Sequence, residues 1–395
     1  MTGKMKIFHI SDLHIGKQLH LYDISEVQRN VLEQIVELAK KERPDVIVIA
    51  GDIYDKAAPS GEAFRLFDEF LNGLGNIEPM IPVLIIAGNH DNHLRLHYAS
   101  SFLEKHQIYI SSSLPKTAEE HLKKIVLEDE YGTVNFYMLP FTRPADGKNL
   151  FGKEVEIQTY DDAVRMMIER EEIDETQRNV LVAHQFFVKG QTEPEKRESE
   201  LRYISVGGID SVDTACVEHF DYVALGHIHS SQSIGKPYIR YSGTPLKYSV
   251  SEEKDKKSIT VAVLGEKGEE PEISFLPLEM KPDVRKIKGT LEELILQAKE
   301  GDNEDFVSIV LTDEKTPYKA KERLQECYDN ILEVSVENTR TREILKQDVA
   351  ETINEDPVAL FSDFYQEMNQ TPISDRERKV LEDIVNKLSG EGKAE

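Results

Sequence analysis

The 395-residue sequence is poor in cysteine, and neither Cys216 nor Cys327 stands in a CxxC or Cys/His cluster. That excludes a disulfide framework and a thiolate zinc site as the basis of the fold. Long apolar runs are missing as well: nothing approaches the roughly 18 consecutive residues of a membrane span. The N-terminus, MTGKMKIFHISD, enters a strand pattern almost at once, with no basic stretch, apolar core or small-residue cleavage site, which predicts a cytoplasmic protein. Cations are the minority, 48 Lys and Arg against 73 Asp and Glu, for a formal charge of −25. A general basic field for coating nucleic acid is thereby excluded, and any grip on phosphates must come from local features such as metal ions or a partner subunit. No GxxxxGK[ST] pattern occurs, hence no P-loop. There is no internal repeat, and disorder is expected only in the C-terminal GEGKAE and in GQTEPEKRESE, residues 190–200.

What is present is a 39% hydrophobic content cut into short pieces. KIFHIS (6–11), DVIVIAG (45–51), VLIIAG (83–88), NVLVAH (179–184) and FDYVALGH (220–227) are rich in Val and Ile and have the length of fully buried strands. Between the first two lies ISEVQRNVLEQIVELAKKERP, with Val27, Val31, Ile35 and Leu38 at helical spacing. Ser25 is its expected N-cap, and Pro44 follows its end. The βαβα order predicts an α/β sheet with parallel strands. IVLEDEYGTVNFYMLP predicts a hairpin turning at Tyr131 and Gly132, and SITVAVL with EISFLPL a second antiparallel pair. The sheet is therefore mixed, or split into two packed sheets.

Polar residues close each buried run. SDLH brings Asp12 and His14, GD brings Asp52, GNHD brings Asn89 and His90, and GHIH brings His227 and His229; His184 ends a run by itself. Carboxyl ends of strands are where open α/β sheets gather binding residues. Gly51, Gly88 and Gly226 let the backbone turn sharply or approach a ligand there. A single Asp after a strand is ordinarily a turn former or helix cap, but that does not explain a whole set of strand ends delivering oxygen or imidazole donors. Asp12, His14, Asp52, Asn89, His184, His227 and His229 are too many for one metal with open positions. They suit two metals sharing a carboxylate, for which Asp52 is the natural bridge. Carboxylate, amide and imidazole ligation without thiolate permits Mn²⁺, Fe or Zn²⁺ and disfavours an all-oxygen Mg²⁺ site. In a strand, the alternation in HIH would put both rings on one side, although a loop could serve as well. His90 is surplus to the ligand count and free to donate a proton.

In order and spacing, SDLH, GDIYD, GNHD, the isolated His184 and GHIH resemble the motifs of the calcineurin-like metallophosphoesterases. The resemblance implies a two-sheet αββα sandwich over residues 5–278. It implies one metal held by Asp12, His14, Asp52 and His229 and another by Asp52, Asn89, His184 and His227, with Mn²⁺ the expected ion and His90 protonating the leaving alkoxide. Within that family, PFTRP (140–144) and GHIHSSQ followed by YIRYSGTPLKYS are similar to the nuclease subunits of bacterial SbcCD-type complexes. Archaeal and eukaryotic relatives tend to carry His where this chain has Asp55, and the acid is expected to orient His90. That branch implies a DNA endo- and exonuclease working with a coiled-coil ABC-type ATPase, as a homodimer within a heterotetramer. A phosphoesterase of small nucleotides would use the same ligands and is the alternative.

Past residue 280, strand and helix alternate again in VRKIKG, TLEELILQAK, FVSIVLTD, PYKAKERLQECY and ILEVSVEN, with Thr290 and Glu293 spaced as a capping box. This small βαβαβ unit, residues 283–340, is a DNA-binding cap by resemblance; Lys286, Lys288, Lys315, Lys319 and Lys321 are either its contacts or a solvated face. Within a helical 342–390 segment, DPVALFSDFYQEMNQTPISDRERKVLEDIVNKL (356–388) reads as a hairpin, started by Asp356 and Pro357 and again by Ser374 with Glu377. Its apolar faces are Phe361, Phe364, Tyr365 and Met368, then Leu381, Ile384, Val385 and Leu388. They need a cover, which the resemblance supplies as the ATPase partner. For the homodimer it points to SGEAFRLFDEFLNGL, with Phe64, Phe67, Leu71 and Leu74 on one face, and to NHLRLHYASSFLEKH, with Leu94, Tyr98 and Phe102 at helical spacing.

Overall fold

The computed structural model describes residues 3–117, 119–152, 154–200, 210–299, 301, 303–315 and 317–339, and beyond those 358, 361–362, 365–366, 371–374 and 376–382. Asp356, Pro357, Phe364, Met368, Ile384, Val385, Leu388 and GEGKAE lie outside the described residues. The chain divides into two units, residues 1–287 with 300–309 and 325–333, and residues 288–299 with 310–324 and 334–395.

In the first unit, strands Met5–Ile10, Val46–Ala50, Val83–Ile86 and Ile108–Ser111 pair in parallel, in that order. Ser258–Leu264 and then Glu272–Pro277 extend the other edge antiparallel, giving a six-stranded sheet. A second six-stranded sheet runs Gln232–Ile234, Lys236–Tyr241, Tyr222–Gly226, Arg178–His184, Gly132–Leu139, Lys123–Asp129. Its last two strands are the predicted hairpin, closed one residue earlier than expected, with Asp129 opposite Gly132.

Side-chain alternation explains why the central strands are apolar throughout. In Val46–Ala50, Ile47 and Ile49 pack with Val31, Ile35, Phe67 and Leu71 of the helix side. Val46, Val48 and Ala50 pack with Phe136, Val180, Val182 and Tyr222 of the other sheet. The outer face of the second sheet, through Leu181 and Val223, meets Val164, Met167 and Ile168 of helix Tyr160–Glu169. Every one of these strands is covered on both faces, which is a helix–sheet–sheet–helix sandwich.

Three local expectations are corrected. Helix Ser25–Glu42 begins one residue before its expected start: Ile24 is the N-cap, without a side-chain bond, and Asp23 Oδ1 accepts from Ser25 N instead. Phe67, Leu71 and Leu74 of helix Gly61–Gly75 are buried in the core, so three of the four side chains on that face are spent on folding, and Phe64 alone stays 39% exposed. The expected helix over 92–106 is broken into two turns, His93–Leu96 and Ser100–Leu103, because Ala99 adopts a left-handed conformation with φ 61° between them. Leu94, Tyr98 and Phe102 are left 70%, 84% and 61% exposed.

Downstream, Phe306–Leu311 is the central strand of a three-stranded sheet, flanked by Val284–Gly289 and Asn330–Val336. Helix Leu291–Ala298 opens with the predicted capping box: Thr290 Oγ1 accepts from Glu293 N, and the Glu293 carboxylate accepts from Thr290 N.

Candidate metal centre

Backbone pairing continues past the ends of the first two strands. Asp12 N, His14 N and Ile15 N donate to the carbonyls of Gly51, Asp52 and Ile53 at 3.0, 3.0 and 2.9 Å, so both loops run side by side. Asp12, His14, Asp52 and His227 hold left-handed backbone angles, φ 53°, 42°, 51° and 99°. Each costs on the order of 1–3 kcal/mol, a strain that persists where surrounding structure dictates it and that concentrates at functional sites. Glycine is required at two close approaches. A Cβ at 88 would lie 2.1 Å from Asp52 Oδ1, and one at 226 would lie 1.9 Å from the Ala50 carbonyl oxygen of the facing sheet.

The structure brings all the predicted ligands into one cluster. From the second sheet, His184 Nδ1 donates to the Ala50 carbonyl at 2.7 Å, which turns Nε2 toward the cluster. That nitrogen lies 3.1 Å from Asn89 Oδ1 and 3.4 Å from Asp52 Oδ2. His227 Nδ1 lies 3.0 Å from the same Asn89 oxygen, while its backbone N–H donates to Asp12 Oδ1 at 3.0 Å. His14 Nε2 and His229 Nε2 face each other at 3.1 Å. The 222–226 strand has ended by then, so HIH is a loop whose two rings serve different parts of the cluster.

His229 is oriented by residues that the sequence did not reveal. Its Nδ1 lies 2.7 Å from Ser199 Oγ, which itself donates to Glu252 Oε1 at 2.7 Å, so Nδ1 is the donor and Nε2 keeps its lone pair. Glu200 Oε2 accepts from His229 N at 2.5 Å. Ser199 and Glu200 fall in the 190–200 segment expected to be disordered; its acidic composition concealed a role set by contacts 30 residues away. Asp91 was also missed, although an acid in a turn after a strand is a signal for it. It accepts from Gly88 N, Ile53 N and Tyr54 N at 2.9, 3.1 and 3.0 Å and ties the second and third loops together.

His90 N donates to Asp52 Oδ1 at 2.9 Å, and its ring edge meets His14 with centroids 4.8 Å apart. Asp55 reaches His90 through its main chain: His90 Nδ1 donates to the Asp55 carbonyl at 2.7 Å. The Asp55 carboxylate, expected to do this, lies 3.0 Å from Lys17 Nζ and 4.0 Å from His14 Nδ1.

Burial pushes the Asp12 carboxyl up to about 7 and the His227 imidazole down to about 3, and it holds His14 and His229 well below the usual imidazole range. Burial opposes charge on His184 and Asp52 too, yet each sustains the other: Asp52 holds the His184 imidazole up at about 9, and His184 with His90 keeps Asp52 well below its ordinary value. Imidazole lone pairs turned on an amide oxygen, or on each other, at 3.1 Å repel unless a proton or a cation lies between them. Imidazoles, two carboxylates and an amide oxygen without thiolate fit divalent metal ions.

Residues 5–231 match the family described as calcineurin-like phosphoesterase, and residues 281–369 the one described as type 5 capsule protein repressor C-terminal domain. The D subunit of nuclease SbcCD from Staphylococcus epidermidis is 34% identical over 379 residues, 94% of this chain and 95% of that protein. Its namesake from Staphylococcus saprophyticus is 31% identical over 391 residues, 98% of this chain and 100% of that protein. Among solved structures, GAP50, the anchor in the inner membrane complex of Plasmodium, shares 14% identity at a TM-score of 0.37 over 70% of this chain and 89% of that one, too slight a likeness to carry a reading.

Proposed function

The chain belongs to the calcineurin-like phosphoesterase family, in the branch of the nuclease subunits of SbcCD, and on that premise we propose a two-metal DNA phosphodiesterase with exo- and endonuclease activity on DNA ends and hairpins, serving repair and recombination. The observation that carries this reading is the convergence of donors from two sheets with His90 at their side. Asp12, His14, Asp52 and His229 would hold one divalent ion, and Asp52, Asn89, His184 and His227 the other, Mn²⁺ in our reading. Bound there, the pair would supply Lewis acidity toward the attacking water and the phosphoryl oxygens.

The chain's own groups position and protonate. The Ala50 carbonyl aims His184, and Ser199 with Glu252 aims His229. With Nδ1 engaged by the Asp55 carbonyl, His90 keeps Nε2 as the nitrogen that can carry a proton to the leaving alkoxide. General acid catalysis of this kind contributes about 10²- to 10⁴-fold. Asp55 is then a positioning residue acting through its backbone.

The proposed partners are DNA, met by residues 283–340, and a coiled-coil ABC-type ATPase, met by 342–390, with the chain a homodimer within a heterotetramer. Leu94, Tyr98 and Phe102 offer exposed apolar surface for the two-fold contact. Sedimentation of the Tyr98→Glu, Phe102→Glu variant should show a folded monomer; an intact dimer excludes this surface. Both cysteines are free, and among the described residues no helix is long and apolar enough to cross a membrane; we place the protein in the cytoplasm. The deciding experiment compares Mn²⁺-dependent cleavage of duplex ends and hairpins with phosphate release from mononucleotides. Cleavage of DNA supports the nuclease reading, whereas turnover of mononucleotides alone would replace it with a small-nucleotide phosphoesterase.

A further inference from the structure

Beside the metal centre, Gly88, Phe141, Arg143, Lys116 and Ser112 help to line a cavity of about 290 Å³ that includes none of the proposed ligands. Phe141 connects the two. Its ring lies 25° from parallel with His227, centroids 6.2 Å apart, and edge-on to His184 at 6.3 Å. The Arg143 guanidinium carbon is 5.0 Å from the centre of the same ring.

The charges around this cavity are unevenly spent. Its two acids are committed to the backbone: Asp91 accepts from the N–H groups of Gly88, Ile53 and Tyr54, and Asp146 from Arg143 N. Among the described residues neither the Arg143 nor the Lys116 side chain is in an ion pair, although the chain carries a formal −25. Ser112 is 5% exposed, and its buried hydroxyl has no hydrogen-bond partner. An unmet buried hydroxyl is costly, and it can donate or accept.

An aromatic wall with a guanidinium over it, a second free cation and an unmet hydroxyl together describe a site for a nucleotide. Bases stack on aromatic and guanidinium planes, phosphate oxygens pair with Arg and Lys, and a hydroxyl reads a base edge. A free phosphate would have no use for the Phe141 ring, and a plain apolar ligand none for the two cations. We propose that this cavity takes the nucleotide adjoining the scissile phosphodiester, with its base against Phe141 and Arg143 and its outer phosphate on Arg143 and Lys116. The proposal rests on the nuclease reading above and specifies its substrate: a base can enter only after leaving its helical stack, so cleavage requires a frayed or locally unpaired strand.

The test uses the full-length protein with Mn²⁺ and oligonucleotides carrying one abasic site, placed in turn at each nucleotide flanking the mapped cleavage point. The quantity read is the ratio of kcat/KM on intact DNA to that on abasic DNA. At one of the two positions wild type should favour intact DNA by about 10- to 100-fold, within the range that base–aromatic stacking provides. In Phe141→Leu this ratio should collapse toward one, whatever the variant's absolute activity, because damage to the metal centre cancels within one protein. Metal content and melting temperature are measured alongside. Arg143→Gln should raise KM and flatten its salt dependence. A wild-type ratio near one, or a ratio unchanged in Phe141→Leu, overturns the proposal while the nuclease reading stands. Failure to cleave any oligonucleotide overturns the nuclease reading and this proposal with it.

Discussion

The two six-stranded sheets are made of similar strands and contribute different chemistry. Loops of the first carry every oxygen donor, Asp12, Asp52 and Asn89, with His14 and His90. The second supplies His184, the last residue of its strand, and His227 and His229 from a loop, all of which offer nitrogen alone. Apart, each is half a site. Two buried carboxylates repel one another, and burial alone would drive both toward protonation; the imidazole that keeps Asp52 ionised, His184, comes from the opposite sheet. The cluster is thus a property of the interface between sheets, and its integrity and the stability of that interface are linked.

If labour is divided this way, Asp52→Asn should have the largest effect, because both sets of donors converge on that carboxylate. Turnover should fall below detection and bound metal should drop sharply; elemental analysis showing full metal content would contradict the shared role. His90→Ala should come next, with kcat lower by about 10²- to 10⁴-fold and metal content unchanged. Loss of a metal in that variant would make His90 a ligand.

Stability should respond where the sheets touch. Gly226→Ala drives a methyl group against the Ala50 carbonyl, a contact that backbone must yield to, and should cost about 3 kcal/mol or more by denaturant unfolding. Gly61→Ala, with nothing near its Cβ position, should change stability by less than about 1 kcal/mol. Equal costs at the two positions would refute close approach as the reason for Gly226.

A smaller effect than that of Gly226→Ala is expected in a pH slope. His9 lies between the sheets, with Nδ1 2.9 Å from Tyr222 Oη and Nε2 3.1 Å from the Leu225 carbonyl, and burial pushes its imidazole down to about 3. An unfolded histidine titrates near 6.5, so between those values the unfolded chain binds one more proton than the folded one. Stability attributable to His9 is therefore complete above about pH 6.5 and declines as pH falls, by up to about 1.4 kcal/mol per pH unit. His9→Gln should lose this part of the slope when unfolding is compared at about pH 5 and about pH 7. An identical slope in the variant would show that His9 does not titrate across that window.

Where sequence reading succeeded, the signal was local. A strand covered on both faces is apolar along its middle, so the runs at 46–50 and 180–183 announced themselves, and polar residues ending such a run stand out. Helical spacing proved a weaker guide. The positions of Leu94, Tyr98 and Phe102 would share a face on a continuous helix, but periodicity does not report a left-handed residue such as Ala99. Phe67, Leu71 and Leu74 do share a face, and only packing shows that the core has taken it.

The sequence by itself determined that these polar side chains stand at strand ends, because strand length, burial and turn chemistry act over a few residues. Tertiary structure decided which atom of each donor faces the cluster. The Ala50 carbonyl selects Nε2 of His184, Ser199 selects Nε2 of His229, and the Asp55 carbonyl, in place of its carboxylate, selects Nε2 of His90. Asn89 and His184 stand 95 residues apart and meet because Gly226 lets one sheet close on the other. Such a choice depends on hydrogen-bond partners from distant segments, and those exist only once the sheets have packed.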